Sequence, residues 1–222
     1  MEFNLSPQLC TIIPDFKIGV IRYDNIEVGS SPQMLKGRLQ LFQESLFFEL
    51  EDKNVTDYVG ISEWRTIFRM VGKDPNRYRH SVEALYRRVK KHQYLQPVNS
   101  ATDINNFFSL QYEVPIGIYD LQKLSGDVTM RLGIDGEEYM GLNGRANNLH
   151  NLIVTADELG PFGSPFVDSV RSSVSEATQN AIQIIYLRPS MDKKNAEEMV
   201  KSLMNMFTQI HGGEAQYHIY GS

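Results

Sequence analysis

A polar helical segment and a loop rich in glycine and proline contain the side chains best suited to chemistry. In NSATDINNFF, Asp103, Asn105 and Asn106 lie within two helical turns, where Asp103 could orient a hydrogen-bond network in a pocket. In GPFGSPFVDS, Asp168 and Ser169 lie close to Arg171, with which they could form a polar clasp. Helix capping or a local salt bridge explains either segment equally well from sequence alone.

The familiar signatures of nucleotide binding, serine hydrolysis and zinc proteolysis are missing. The sequence contains no GxGxxG, GxxxxGK[ST], GxSxG or HExxH pattern. Its five histidines are scattered without ligand spacing, and Cys10, the single cysteine, has no histidine beside it. We therefore predict no metal site and no cofactor, and we interpret Cys10 as an inert thiol.

Composition predicts a cytoplasmic globular protein without a membrane partner. The chain has 222 residues, of which 41% are hydrophobic and 22% charged, so it can bury a sizeable core. A single cysteine excludes an intrachain disulfide and favours a reducing compartment. No apolar run approaches the roughly 18 residues of a membrane helix, and the first residues do not resemble a signal peptide.

Positive charge is concentrated in one segment. The formal net charge is −5, but residues 65–92 contain nine Lys or Arg against two acidic residues. Such a basic segment on an acidic protein is what a local phosphate-binding face would look like, and we select four of its arginines as candidate RNA contacts. These are Arg77, Arg79, Arg87 and Arg88. The alternative is an ordinary solvated helix face.

Hydrophobic periodicity predicts an α+β single domain with mixed sheets and packed helices. Helices are expected over residues 31–50, 62–72, 81–91, 99–112 and 195–210. Strands are expected over residues 15–23, 116–120, 128–134, 137–142, 152–157, 181–188 and 215–220. Asp135-Gly136 predicts a hairpin turn between the third and fourth of these strands. The segment 160–169 is expected to be an ordered turn.

Several motifs together resemble a known family. The runs VGKDPNRYRHSVEALYRRV, QPVNSATDINNFFSLQYEVPIGIYDLQKL, LIVTAD and VSEATQNAIQIIY resemble the tRNA-editing B3/B4 domain of the phenylalanyl-tRNA synthetase beta subunit, in a free-standing form. The resemblance covers about residues 61–186. It implies a B3/B4-like core over residues 61–222, with residues 1–60 supplying a strand and a helix that pack on that core.

The resemblance also implies roles for individual residues. The family segment Val-Asp-x-Thr-Asn falls on residues 102–106, so Asn106 is a candidate catalytic residue, and Asp103 and Asn105 are candidate substrate-binding residues. The family histidine in Gln-Pro-x-His-Ala-Phe-Asp is replaced by Gly117, which supplies only backbone groups to the substrate. After the glycine-rich loop, Asp168 is the second candidate catalytic residue and Ser169 a candidate substrate contact.

Two functions follow as expectations. The first is binding of tRNA or of an aminoacyl-tRNA acceptor end, with hydrolysis of a mischarged aminoacyl ester in trans by a positioned water. The second is non-catalytic binding of a free amino acid or small metabolite in the same pocket. The lost histidine favours the second function, and the basic segment favours the first.

Overall fold

A computed structural model describes residues 1–221. The elements, in chain order, are β1 (Phe3–Leu5), α1 (Pro7–Ile12), β2 (Lys17–Asp24), α2 (Gln33–Asp52), α3 (Val59–Met70), α4 (Ser81–Lys90), α5 (Ser100–Tyr112), β3 (Ile116–Asp120), β4 (Val128–Leu132), β5 (Glu138–Met140), β6 (Ala146–Asn148), β7 (Ile153–Asp157), β8 (Gly160–Gly163), β9 (Ala181–Tyr186), α6 (Lys193–His211) and β10 (Glu214–Gly221). The α+β single domain predicted from the periodicity is confirmed.

Two four-stranded sheets form the framework. The first has the order β1-β4-β7-β8 and is antiparallel except for the parallel pair β1–β4. The second is antiparallel throughout, with the order β10-β2-β9-β3. All six residues of β9 are buried, which explains its almost continuous apolar sequence in the interior of the sheet. The N-terminal residues contribute to both sheets, because β1 pairs with β4 in the first and β2 lies between β9 and β10 in the second.

Three apolar clusters hold the layers together. The first lies between the two sheets and includes Trp64 of α3 and Tyr186 of β9. The second lies on the other face of the second sheet, against α5 and α6, where Tyr23 stacks on Phe207. The third packs the helices α2 to α5 around Tyr86. Both α4 and α5 are thereby fixed on the core while part of each remains free to line a site.

One predicted hairpin is wrong. β4 does not pair with β5 across Asp135-Gly136 but lies between β1 and β7, and β5 pairs with β6 around Asn143-Gly144. The physical reason is burial, because Val128 and Met130 of β4 belong to the core between the sheets, which a short exposed strand could not cover.

Two smaller boundaries also differ from the sequence prediction. Helix α3 begins at Val59 rather than Ser62, since Gly60 and Ile61 are buried in its first turn. The segment expected as a turn begins with the strand β8, which extends the first sheet.

Candidate functional site

A cavity of about 710 Å³ opens between α4, α5, β3, the β5–β6 turn and the loop that follows β8. Its lining combines apolar side chains such as Ile116 and Ile118 with amides, one carboxylate and several arginines. Three pocket residues that were predicted from the sequence are part of this lining, namely Asn105, Asn106 and Asp168. A concave site with an apolar wall and a few converging polar groups suits a small organic ligand.

Helix α5 presents two neighbouring amides to the cavity. The Asn99 side chain caps the helix by accepting a hydrogen bond from the Thr102 amide at 2.9 Å. Asn105 is buried, and its side-chain oxygen accepts a hydrogen bond from Gln183 of β9. Asn106 is half-buried, and within residues 1–221 its side-chain amide has no hydrogen-bond partner. That amide is therefore available to a ligand.

Asp168 is a half-buried carboxylate, and no cation pairs with it within residues 1–221. Its Oδ1 accepts hydrogen bonds from the Tyr119 hydroxyl at 2.7 Å and from the Ser164 amide at 3.1 Å. Oδ2 has no hydrogen bond within the described part of the chain. Burial raises the pKa of Asp168 to about 6, and the hydrogen bonds from Tyr119 and Ser164 partly oppose this rise. The group can thus change its charge slightly below neutral pH.

Gly117 lies behind the cavity wall rather than in it. Alternate residues of a strand face opposite sides, so Ile116 and Ile118 line the cavity while Gly117 and Tyr119 face away from it. A Cβ added to Gly117 would lie 2.1 Å from the Tyr119 hydroxyl oxygen, and one added to Gly163 would lie 2.3 Å from it. Two glycines therefore make room for the tyrosine that reaches Asp168, and a histidine at position 117 would require Tyr119 to move.

Four exposed arginines surround the cavity. They come from three places in the fold: Arg77 and Arg79 from the loop before α4, Arg88 from α4, and Arg145 from the β5–β6 turn. Among residues 1–221 none of the four has an ion-pair partner or a side-chain hydrogen bond. Unpaired guanidinium groups arranged in this way suit a ligand that carries phosphate.

Part of the predicted basic face is instead an internal ion-pair cluster. Glu83 is fully buried and accepts hydrogen bonds from Arg65 at 2.8 Å and from Arg87 at 2.9 Å. His80 caps α4 beside them, and its burial lowers its pKa to about 4. The sequence interpretation counted Arg65 in the positive face, and this is wrong because Arg65 is buried and bonded to Glu83. Arg87 does not line the cavity, since Glu83 holds its guanidinium.

The loop that carries Asp168 is fixed from two sides. Toward α4, the Ser81 amide donates a hydrogen bond to the Pro165 carbonyl, and the Tyr78 and Phe166 rings meet edge to face. Toward the β5–β6 hairpin, the Leu142 amide donates to the Asp168 carbonyl at 2.9 Å. Because these bonds link the arginine-bearing segments to the Asp168 loop, the polar groups of the cavity are held together as a unit.

Three other predicted residues lie outside the cavity lining. Asp103 is buried and binds the Ser31 hydroxyl and the Val98 amide, so it ties α5 to the start of α2. The Ser169 hydroxyl caps the short turn that follows it by accepting a hydrogen bond from the Arg171 amide. The expected clasp between Asp168 and Arg171 does not form, because Arg171 pairs with Asp157 at 2.9 Å. The capping interpretation therefore applies to Ser169, whereas Asp103 is a buried structural link, since Asn99 caps α5.

Sequence reasoning missed Arg145 and Tyr119. Arg145 follows Asn143-Gly144, but a turn sequence does not reveal which surface the turn covers. Tyr119 occupies the place of the family phenylalanine, so its extra hydroxyl beside the histidine-to-glycine change was a readable signal. Within the described residues, no group of three or more His, Cys, Asp or Glu could hold a metal ion, and no helix is long and apolar enough to cross a membrane.

Comparison with known families identifies the class of protein. The family model of the B3/4 domain matches residues 63–212, and the chain belongs to this family. Over 98% of its length it is 40% identical to a Bacillus subtilis (strain 168) protein named "Uncharacterized protein YhzB", 99% of which is covered.

More distant relatives are parts of a larger enzyme. The chain is 35% identical over 98 residues to the phenylalanine–tRNA ligase beta subunit of Paramagnetospirillum magneticum, covering 43% of this chain and 12% of that subunit. It also aligns with a crystal structure of an N-terminal fragment of the phenylalanyl-tRNA synthetase beta subunit from Pyrococcus horikoshii. That alignment has a TM-score of 0.45 and 12% identity, and it covers all of this chain and 54% of the fragment.

Proposed function

We propose that the chain binds the aminoacylated 3′ end of a tRNA in this cavity and hydrolyses a mischarged aminoacyl ester there. The observation that carries the proposal is the meeting of four unpaired arginines with Asn106 and Asp168 around one cavity. An aminoacyl-tRNA end has matching parts, namely backbone phosphates, an ester and an amino-acid side chain. The family relationship to phenylalanine–tRNA ligase beta subunits supports the same substrate class.

The arginines would hold the nucleic acid by its phosphates. Each cation that displaces counterions from a phosphate adds affinity at low salt without reading sequence. In the described part of the chain, Arg77, Arg79, Arg88 and Arg145 are exposed and unpaired, so binding a phosphate would not require breaking an existing ion pair. The net charge of −5 would at the same time oppose binding of nucleic acid elsewhere on the protein.

Asn106 and Asp168 would act on the ester. Water adds to the ester carbonyl, the bond to the terminal ribose oxygen breaks, and the products are a free amino acid and the ribose hydroxyl. The free amide of Asn106 would donate to the developing oxyanion. Ionised Asp168 would accept the proton of the attacking water through Oδ2, the oxygen without a hydrogen bond, and would return it to the leaving ribose oxygen.

Binding of a free amino acid without turnover is the second candidate function. Its support is the position of Gly117, which leaves the cavity without an imidazole, while Asp168 can still accept a hydrogen bond from an ammonium group. The two functions share the cavity and differ in whether the ester is cleaved.

A deacylation assay against a panel of mischarged tRNAs tests the proposal. The natural protein should clear at least one of them, and Asn106→Ala should slow clearance by about ten- to a thousandfold, as expected when one positioned donor is removed. Asn205→Ala is a matched control, because Asn205 is an exposed helical asparagine on α6, away from the cavity. It should leave the rate unchanged.

One outcome would decide against hydrolysis, and another would decide only against the role of Asn106. If the natural protein clears none of the panel while a free amino acid binds in the cavity, the binding function replaces the editing function. Equal rates for Asn106→Ala and Asn205→Ala would exclude Asn106 from the reaction.

A test of Gly117→His needs Tyr119→Ala in the same protein, because the tyrosine occupies the space of the new side chain.

A further inference from the structure

Helix α2 carries apolar side chains on its outer face as well as its inner face. Leu35, Leu39, Leu46 and Leu50 are buried against the protein, as expected for a surface helix. On the opposite side Met34, Leu41 and Phe48 are 49%, 67% and 64% exposed. These three lie seven residues apart, so they form one stripe about 21 Å long at a rise of 1.5 Å per residue.

The charges of α2 are arranged against its own dipole. Its first half contains only cations, Lys36 and Arg38, and its second half only acids: Glu44, Glu49, Glu51 and Asp52. A helix is stabilised by acids near its N-terminus and cations near its C-terminus, and α2 has neither. The stability of the isolated helix therefore does not explain this arrangement.

An antiparallel copy of the same helix satisfies both the stripe and the charges. We propose that α2 pairs with α2 of a second copy of this chain, forming a twofold-symmetric dimer with Leu41 on the axis. In this register Met34 lies opposite Phe48 of the partner subunit, and Arg38 lies opposite Glu44 of the partner subunit. A twofold interface is self-complementary, so every such contact occurs twice.

A parallel pair would fail on the same observations. It would set the four acids of one helix beside the four acids of the other and align the two helix dipoles. The antiparallel pair places the basic end of each helix beside the acidic end of the other. The charge distribution thus selects both the partner and its direction, independently of what the cavity binds.

Analytical ultracentrifugation between about 1 and 100 µM tests the proposal. At the upper concentrations the measured molecular mass should be twice the 25.4 kDa of one chain. Leu41→Glu should make it a monomer, because two carboxylates would then meet on the axis. Leu159→Glu is the matched control: Leu159 is also 67% exposed, but it lies in the β7–β8 turn, and this variant should remain a dimer.

A charge exchange tests the register separately from the stripe. Arg38→Glu and Glu44→Arg should each weaken the dimer about tenfold or more, and the double variant should recover the natural affinity. Circular dichroism would verify that each variant folds. A monomeric natural protein at 100 µM, a dimer that survives Leu41→Glu, or a double variant no tighter than the single ones would overturn the proposal.

Discussion

Two carboxylates in this domain have opposite surroundings, and Glu83 is fully buried while Asp168 is half-buried. Glu83 accepts hydrogen bonds from two arginines, whereas the partners of Asp168 within residues 1–221 are a tyrosine hydroxyl and a backbone amide. The pKa of Asp168 rises to about 6 because desolvation of its charged form outweighs the hydrogen bonds from Tyr119 and Ser164. Glu83 therefore fastens α3 to α4, while Asp168 keeps a free oxygen and an adjustable charge.

The arginines near these carboxylates show the same contrast. Arg87 and Arg88 are neighbours in sequence, but Arg87 is held by Glu83 and Arg88 lies unpaired at the cavity. The difference shows that a count of positive residues overestimates how many cations can bind phosphate. Only cations without an internal partner are free to bind a ligand.

The largest effect is expected from removing the paired carboxylate. Glu83→Gln leaves two arginines beside a neutral amide, one of them mostly buried, and should lower the free energy of unfolding by about 3–5 kcal/mol. Chemical denaturation would measure this. Glu197→Gln is the control, since Glu197 and Lys201 form an exposed pair that should contribute little. A loss as small as that of the control would show that the Glu83 cluster stabilises the protein no more than an exposed ion pair does.

The unpaired carboxylate should determine the pH dependence of deacylation. If ionised Asp168 accepts the proton, the rate should rise about tenfold per pH unit below about 6 and level off above it. Asp168→Asn should lower the rate and remove this rise. A rate that stays flat through pH 6 in the natural protein would exclude Asp168 as the base.

Stability provides a readout of Asp168 that does not depend on activity. A carboxyl whose folded pKa is raised costs stability above that pKa, and the cost disappears as pH falls toward its ordinary value. Asp168→Asn should therefore raise Tm more above pH 6 than near pH 4. An equal change in Tm at both pH values would contradict the raised pKa of Asp168.

The neighbouring arginines give a matched pair for tRNA binding. Arg88→Gln should reduce the slope of log affinity against log salt by about one and leave unfolding within about 0.5 kcal/mol. Arg87→Gln should hardly change the slope but should lower stability by about 1 kcal/mol, because it breaks the pair with Glu83. The comparison breaks down if the two variants change the salt dependence equally.

The smallest effect concerns the hydroxyl that binds Asp168. Its hydrogen bond favours the ionised carboxyl, so Tyr119→Phe should move the pH midpoint of deacylation upward by up to about one unit. Tyr139→Phe is a control, because the Tyr139 hydroxyl binds the Val167 carbonyl instead of the carboxylate. A midpoint that moves downward would contradict the assignment.

Local sequence signals predicted several elements closely. The predicted starts at Ser81 and Asn99 agree with α4 and α5 to within one residue, because Ser81 follows a capping histidine and Asn99 is itself the N-cap. The i, i+4 spacing of Glu83 and Arg87 was a signal for their ion pair that the selection of Arg87 as an RNA contact overlooked. The β4–β5 hairpin failed because the better apolar partner of β4 lies about twenty residues further along the chain.

The sequence by itself determined the α+β class, the helix boundaries near their caps, the family and the set of polar residues from which a site could be built. Those properties depend on periodicity, capping and ordered motifs, which are local along the chain. Only the tertiary structure decided which of those residues meet. It buried Asp103 against Ser31, turned Gly117 toward Tyr119 and brought Arg145 to the cavity, because strand register and side-chain packing depend on contacts between distant segments.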